Sequence, residues 1–239
     1  MYGFEVFGNI DCVEKDLRLA EQKALRAILK VKKGTSIDLL YNELKQADII
    51  SVIKEAQFKF FTKLGTLEEE EALVISILRL CENTPIVEYY KSLLPDSRKK
   101  NIDERERRII ESDAPMLQYY RSLLNPKKKS SIYSNFVDDL KRQVITRWRL
   151  SNHKLFVETG RYRVPYVERA DRKCHECGVI EDESHAIFIC PAFSFIRVNH
   201  QRLLEKYQSV QTFLDPEAID IYEVAEFLSE IDEVLEKRC

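Results

Sequence analysis

The chain has 239 residues, a formal net charge of −2 and a hydrophobic fraction of 44%, enough apolar material to build a real core. Charged residues make up 33%, against only six glycines and seven prolines, which disfavours an all-β or loop-rich design and points to a mainly helical protein. No apolar run approaches the length needed to cross a bilayer, and the start Met1-Tyr2-Gly3-Phe4-Glu5 lacks the basic region and cleavage pattern of a signal peptide.

Helical spacing runs from Asp11 to about Lys33 through Val13, Leu17, Ala20, Ala24, Ile28 and Val31, and Gly34 is placed to end that helix. A short helix with Ile37, Leu40, Tyr41 and Leu44 follows, capped by Thr35 or Ser36. A third begins at Asp48 and carries Ile49, Val52, Ile53, Ala56, Phe60 and Leu64. Glu68 to Glu71 load negative charge on the first turn of a fourth, where the macrodipole favours it. An internal repeat comes next. Pro85 to Leu94 aligns with Pro115 to Leu124 at a period of 30, with six of ten pairs identical, and each copy is followed by a proline and a basic group. Its paired tyrosines read either as core or as ligand contacts. Between the copies, Asp103 to Glu111 reads as a mixed-charge helix.

From Ser134 to about Gly160 the pattern is helical again, with a break at Ser151-Asn152. Trp148, between Arg147 and Arg149, reads first as core, and stacking on a base is the alternative. His153 reads as structural. Charge is unevenly spread. From Lys127 to Cys177 there are thirteen Lys or Arg against six acids, a local +7, and after Cys190 ten acids stand against five bases. The candidate phosphate contacts in the basic band are Lys127, Lys128, Lys129, Arg142, Arg147, Arg149, Lys154, Arg161, Arg163, Arg172 and Lys173.

The chemistry lies at Cys174-His175-Glu176-Cys177, His185 and Cys190, closed by Pro191. Two cysteines two residues apart, then a histidine and a third cysteine, are a full tetrahedral set for zinc. With four protein ligands, no position stays open for a catalytic water. Gly178 suits the tight turn after the second cysteine, and Glu181-Asp182-Glu183-Ser184 reads as the start of the helix that carries His185. His175 would project away from the metal. The other cysteines lack the spacing of a disulfide framework, so the expected compartment is reducing, cytoplasmic or nuclear. The sequence shows no glycine-rich phosphate loop, no Gly-x-Ser-x-Gly and no aspartate pair of the polymerase kind, so no enzymatic activity is expected.

The runs Arg149 to Tyr162, Arg172 to Cys177 and Glu181 to Pro191 together resemble the C-terminal region of LINE-type (non-LTR) retrotransposon reverse transcriptases, where a Cys-Cys-His-Cys knuckle follows the polymerase. Tyr2 to Gly8 with Leu25 to Thr35 is similar to the stretch after the polymerase thumb in such polyproteins. The resemblance implies nucleic-acid binding during target-primed reverse transcription, zinc ligands at Cys174, Cys177, His185 and Cys190, and a basic motif including Arg149, Arg161 and Arg172. No polymerase palm or nuclease domain is recognisable, which makes the chain a fragment or captured piece of such a polyprotein. The expected organisation is mainly α. A post-thumb-like helical region (1–83) and a duplicated hairpin with basic corners (84–133) form a helical hairpin array. A basic helix with a small CCHC zinc-knuckle module (134–195) and a helical acidic tail (196–239) follow. The alternative function is a zinc-stapled protein-interaction module that docks a partner through its N-terminal helices or its tail.

Overall fold

The computed structural model describes residues 11–65, 85–114, 117, 120–122, 130–133 and 138–237. The fourth N-terminal helix, the stretch 2–8, most of the second repeat copy and Lys127 to Lys129 lie outside the described residues. The chain is mainly helical, and no strand longer than one isolated bridge occurs among the described residues. None of the described helices is long and apolar enough to cross a membrane.

The expected N-terminal helices form as α1 (Asp11–Leu29), α2 (Ile37–Leu44) and α3 (Ile49–Gly65). The first repeat copy makes α4 (Pro85–Ser92), and the mixed-charge stretch makes a longer helix than expected, α5 (Ser97–Glu111). The buried face of α1 differs from the sequence reading. Leu25 and Leu29 are buried, whereas Ala24 is exposed and Ile28 is 57% exposed. The true stripe steps by four through Leu17, Glu21, Leu25 and Leu29, so it includes a carboxylate that a search for apolar residues passes over. That carboxylate has work inside the fold. Glu21 accepts hydrogen bonds from the Tyr41 hydroxyl at 2.5 Å and the Ile49 N–H at 3.0 Å, which joins α1 to α2 and α3.

The C-terminal half is built on α6 (Asp139–Arg149), started by Asp138, whose side chain accepts from the N–H groups of Leu140 and Lys141. After the break at Ser151, where φ is +51°, come the short helices α7 (Phe156–Thr159), α8 (Ser194–Asn199), α9 (Gln201–Lys206) and α10 (Val210–Phe213), then α11 (Ile221–Glu236). α6 packs along α11. Trp148 is wholly buried, so its core reading holds. The acidic tail is a wall of the core. Ile221, Val224, Ala225, Phe227, Leu228 and Ile231 of α11 are fully buried, each contributing about 1.5–3 kcal/mol relative to exposure for the larger side chains. Its surplus acids Glu226, Glu233 and Glu236 take the solvent side.

One apolar cluster runs from Leu29 and Leu39 through Ile109, Tyr120 and Trp148 to Leu235, so the four expected segments contribute to a common core. Two polar ties cross it. Asn152 accepts from the Lys32 N–H and the Thr35 hydroxyl, fixing the loop after α1 to the end of α6. Arg149 pairs with Glu43 of α2 with both side chains almost fully buried, and donates at 2.7 Å to the Leu214 carbonyl. The Tyr120 hydroxyl donates to the same Glu43 carboxylate at 2.7 Å, which makes this repeat tyrosine a core residue. Tyr89, its neighbour in the first copy, is half-buried and donates to Gln57 at 2.8 Å.

Removing one partner of such a pair strands a buried charge. Arg149→Met is expected to lose about 3–5 kcal/mol of stability, and Arg149→Met with Glu43→Leu clearly less than the two single losses together. Urea denaturation of the three variants measures this; strictly additive losses would contradict a coupled buried pair.

Candidate metal centre

Cys174 and Cys177 sit on a small antiparallel turn. Lys173 bridges to Ile180, the Cys174 N–H donates to the Val179 carbonyl at 2.7 Å, and the Gly178 N–H closes on the Cys174 carbonyl at 2.9 Å. Gly178 has φ +68°, the left-handed conformation a glycine adopts without a Cβ penalty. The Glu181-to-Ser184 start signal also holds. The Asp182 carboxylate accepts from the His185 N–H at 2.9 Å, at the head of a single wide helical turn, His185–Ile189. The Cys190 N–H reaches the His185 carbonyl at 2.8 Å, an i-to-i+5 bond that places His185 and Cys190 at the two ends of one turn. Ala186, Ile187 and Phe193 are fully buried around it, so the turn is plugged into the main core.

This brings the four expected ligands together, with one ligand atom from each of Cys174, Cys177, His185 and Cys190 within 4.8 Å of the others. The Cys190 sulfur lies 3.7 Å from that of Cys174 and 3.8 Å from that of Cys177. A tetrahedral ion with metal–sulfur bonds of about 2.3 Å separates its sulfurs by roughly 3.8 Å. A disulfide would bring two of them to about 2 Å. Both ring nitrogens of His185 are buried without a hydrogen-bond partner, which suits an imidazole with one nitrogen reserved for a metal. Burial lowers its proton affinity, favouring the neutral form that ligates. Burial and the neighbouring thiols push Cys190 up to about 12, so its thiolate would need a cation beside it. The residues fit a metal ion such as zinc. His175, with its side chain 98% exposed, stands outside the set as expected.

The basic band divides. Arg149 and Arg172, expected at phosphates, are 4% and 3% exposed and serve the interior. Arg172 donates to the Val167 carbonyl at 2.9 Å, the Val157 carbonyl at 2.7 Å and the Tyr166 hydroxyl at 2.9 Å. Each lies where several acceptors converge, Arg149 on the Glu43 carboxylate and the Leu214 carbonyl and Arg172 on two carbonyls and a hydroxyl, which a guanidinium with five donors in a fixed fork can satisfy at once. On the outside, Arg142 pairs with Asp139, Arg147 with Asp232, Lys154 with Glu236 and Arg161 with Glu158. Arg163 and Lys173 are exposed. His153 is structural. Its Nε2 lies 2.6 Å from Glu183 Oε1, and its ring packs 4.9 Å from that of Trp148. Burial works against charge on either member of that pair.

Two supports of the centre escaped the sequence reading. Arg197 donates to the Cys190 carbonyl at 2.5 Å and the Ile189 carbonyl at 3.4 Å, closing the open end of the ligand-bearing turn. Buried Glu181 accepts from the Phe156 N–H at 2.7 Å through its side chain and from the Val157 N–H at 3.1 Å through its carbonyl, tying α7 to the hairpin. Neither residue has a local signal, since their partners lie seven and more than twenty residues away. No protein-family model, curated protein or solved structure matches the chain.

Purified protein is expected to hold one equivalent of zinc by elemental mass spectrometry. Cys174→Ser and His185→Ala should lose it and His175→Ala should keep it; retention by all three would contradict the ligand set. A Cβ on Gly160 would lie 2.8 Å from Arg172 Cγ, on the stem of a side chain whose guanidinium is held by three hydrogen bonds. Gly160→Ala should therefore cost about 1–3 kcal/mol in urea denaturation, whereas a loss under a few tenths would mean Arg172 is not locked.

Proposed function

We propose that the protein is a zinc-stapled module that binds RNA or DNA mainly through phosphates, of the kind that follows the polymerase in LINE-type reverse transcriptases. It acts by binding and holds its ion with four protein ligands. One observation carries this reading: the loop from Arg161 to Lys173 is fixed to the hairpin of the metal cluster from within. Buried Arg172 bonds that loop at Val167 and Tyr166, and the next residues enter the cluster. Arg163, Arg169 and Lys173 are thereby held on the outer side against Glu168 and Asp171, a local surplus of one positive charge, with Arg161 paired to Glu158 behind them. A pre-ordered cationic surface loses less conformational entropy on binding than free side chains would. The zinc staple extends the same order to Cys174 and Cys177. Overall the fold reads as a helical array that carries a small metal module on its core.

A second reading has its own support. Phe195 and Val198, one turn apart on α8, are 55% and 73% exposed, and Ile189 on the neighbouring ligand-bearing turn is 64% exposed. Apolar surface of that kind suits a protein partner. Pull-down before and after nuclease treatment separates the two, since a partner bridged by nucleic acid is lost and a direct one stays.

Phosphate-dominated binding predicts a steep salt response. For a single strand held by three or four phosphates, log K against log salt should fall with a slope of roughly −2 to −3, with little dependence on base sequence. Fluorescence anisotropy with single- and double-stranded RNA and DNA measures this, and absence of binding to all four at low salt would overturn the proposal.

A further inference from the structure

Beside the metal hairpin lies a cleft of about 500 Å3, lined by Lys154, Phe156, Arg163, Lys173, His175 and Leu235 among others. Phe156 and Leu235 supply apolar lining, and Lys154, Arg163 and Lys173 supply positive charge. The Arg163 guanidinium lies over the Phe156 ring at 5.1 Å. Lys173 and His175 flank the first metal ligand, and both are exposed. Lys154 also lines it, with its side chain 46% exposed and paired at 2.5 Å with Glu236. Two carboxylates also line the space. Glu181 is engaged by the Phe156 N–H, which leaves Glu176, beside His175, as the exposed acid.

We infer that this cleft seats one unpaired nucleotide of a single strand, its base against the Phe156–Arg163 pair and its phosphates at Lys173 and Lys154. The inference rests on the nucleic-acid reading above and makes it specific to single strands. An aromatic ring with a guanidinium over it is a stacking partner for any base, because every base offers a π face. A cleft of this size takes one base with its sugar. In a duplex the bases are stacked and paired inside the helix, so a duplex presents only phosphates and meets the charges without the aromatic ring. The arrangement therefore discriminates by strandedness and little by sequence. Four of the residues come from three separate stretches, at 154–156, 163 and 173, which the Arg172 bonds and the Glu181 bonds to α7 hold together.

The test is anisotropy of the full chain with a fluorescein-labelled single strand and with its duplex, each at low salt. Wild type should favour the single strand roughly tenfold or more. Phe156→Leu should remove most of that preference while leaving duplex binding in place, and adding Arg163→Gln should weaken both probes by the loss of one charge and the single strand by the larger factor. Lys173→Gln should weaken single-strand binding and reduce the salt slope by roughly one unit, and Lys99→Gln, far along the chain on α5, should do neither. Circular dichroism and zinc content check that each variant folds. Photo-crosslinking of a thiouridine-bearing strand to the unaltered protein gives a second readout, with label expected on peptides covering 154–176. Binding to neither probe would fell the nucleic-acid reading and this inference together. Equal or tighter binding of the duplex, unchanged affinity in the cleft variants, or crosslinks elsewhere would overturn the cleft and leave the general reading standing.

Discussion

The Cys190 sulfur sits 3.7 Å and 3.8 Å from those of Cys174 and Cys177, a spacing at which thiolates would need a cation to share their charge. Bringing the donors for one ion together is the constraint on which this part of the C-terminal half depends. To satisfy it, the Cys174–Gly178 turn and the His185–Cys190 turn must face each other across a fixed gap. The fold meets the requirement by burying one turn among Ala186, Ile187 and Phe193 and tying the other to Arg172 and Glu181. The metal centre is thus continuous with the core and does not hang from it as a bead on a flexible chain.

The arginines show how one residue type is divided between framework and surface. Arg149 and Arg172 each place a guanidinium where several acceptors converge, and each joins segments remote in sequence. Arg163 and Arg169 sit outside them, on backbone that Arg172 holds. The inner arginines cannot reach a phosphate, yet the outer ones depend on them for position. A buried guanidinium loses its hydration, so only full hydrogen bonding makes such a site stable.

Helix positions and the ligand set were legible because both depend on short spacings. Gly178, Asp182 and the break at Ser151 all act within a few residues, and the structure bears out each of them. The α1 face was misread by one position because its stripe passes through Glu21, whose partners on α2 and α3 the local pattern does not contain. The tail was read correctly as helical, but its burial against the core was not foreseen. The acids of α11 dominate its composition, but its apolar residues fall at 3.6-residue spacing and decide its place. The inward turn of Arg149 was hidden because Glu43 lies more than a hundred residues away. Charge counts along the chain show how many cations there are, and only tertiary contacts show which of them face water.

On the proposed reading, a metal at the cluster completes the order of the basic surface that Arg172 begins. The most direct test follows one labelled single strand at low salt with zinc-loaded protein, with protein stripped by a chelator, and with stripped protein reloaded with zinc, while far-UV circular dichroism reports helix content. Affinity should fall at least about tenfold on stripping and return on reloading, with most helix retained throughout because α1, α2, α5, α6 and α11 pack on a core that extends well beyond the cluster. Equal affinity of loaded and stripped protein would contradict the account.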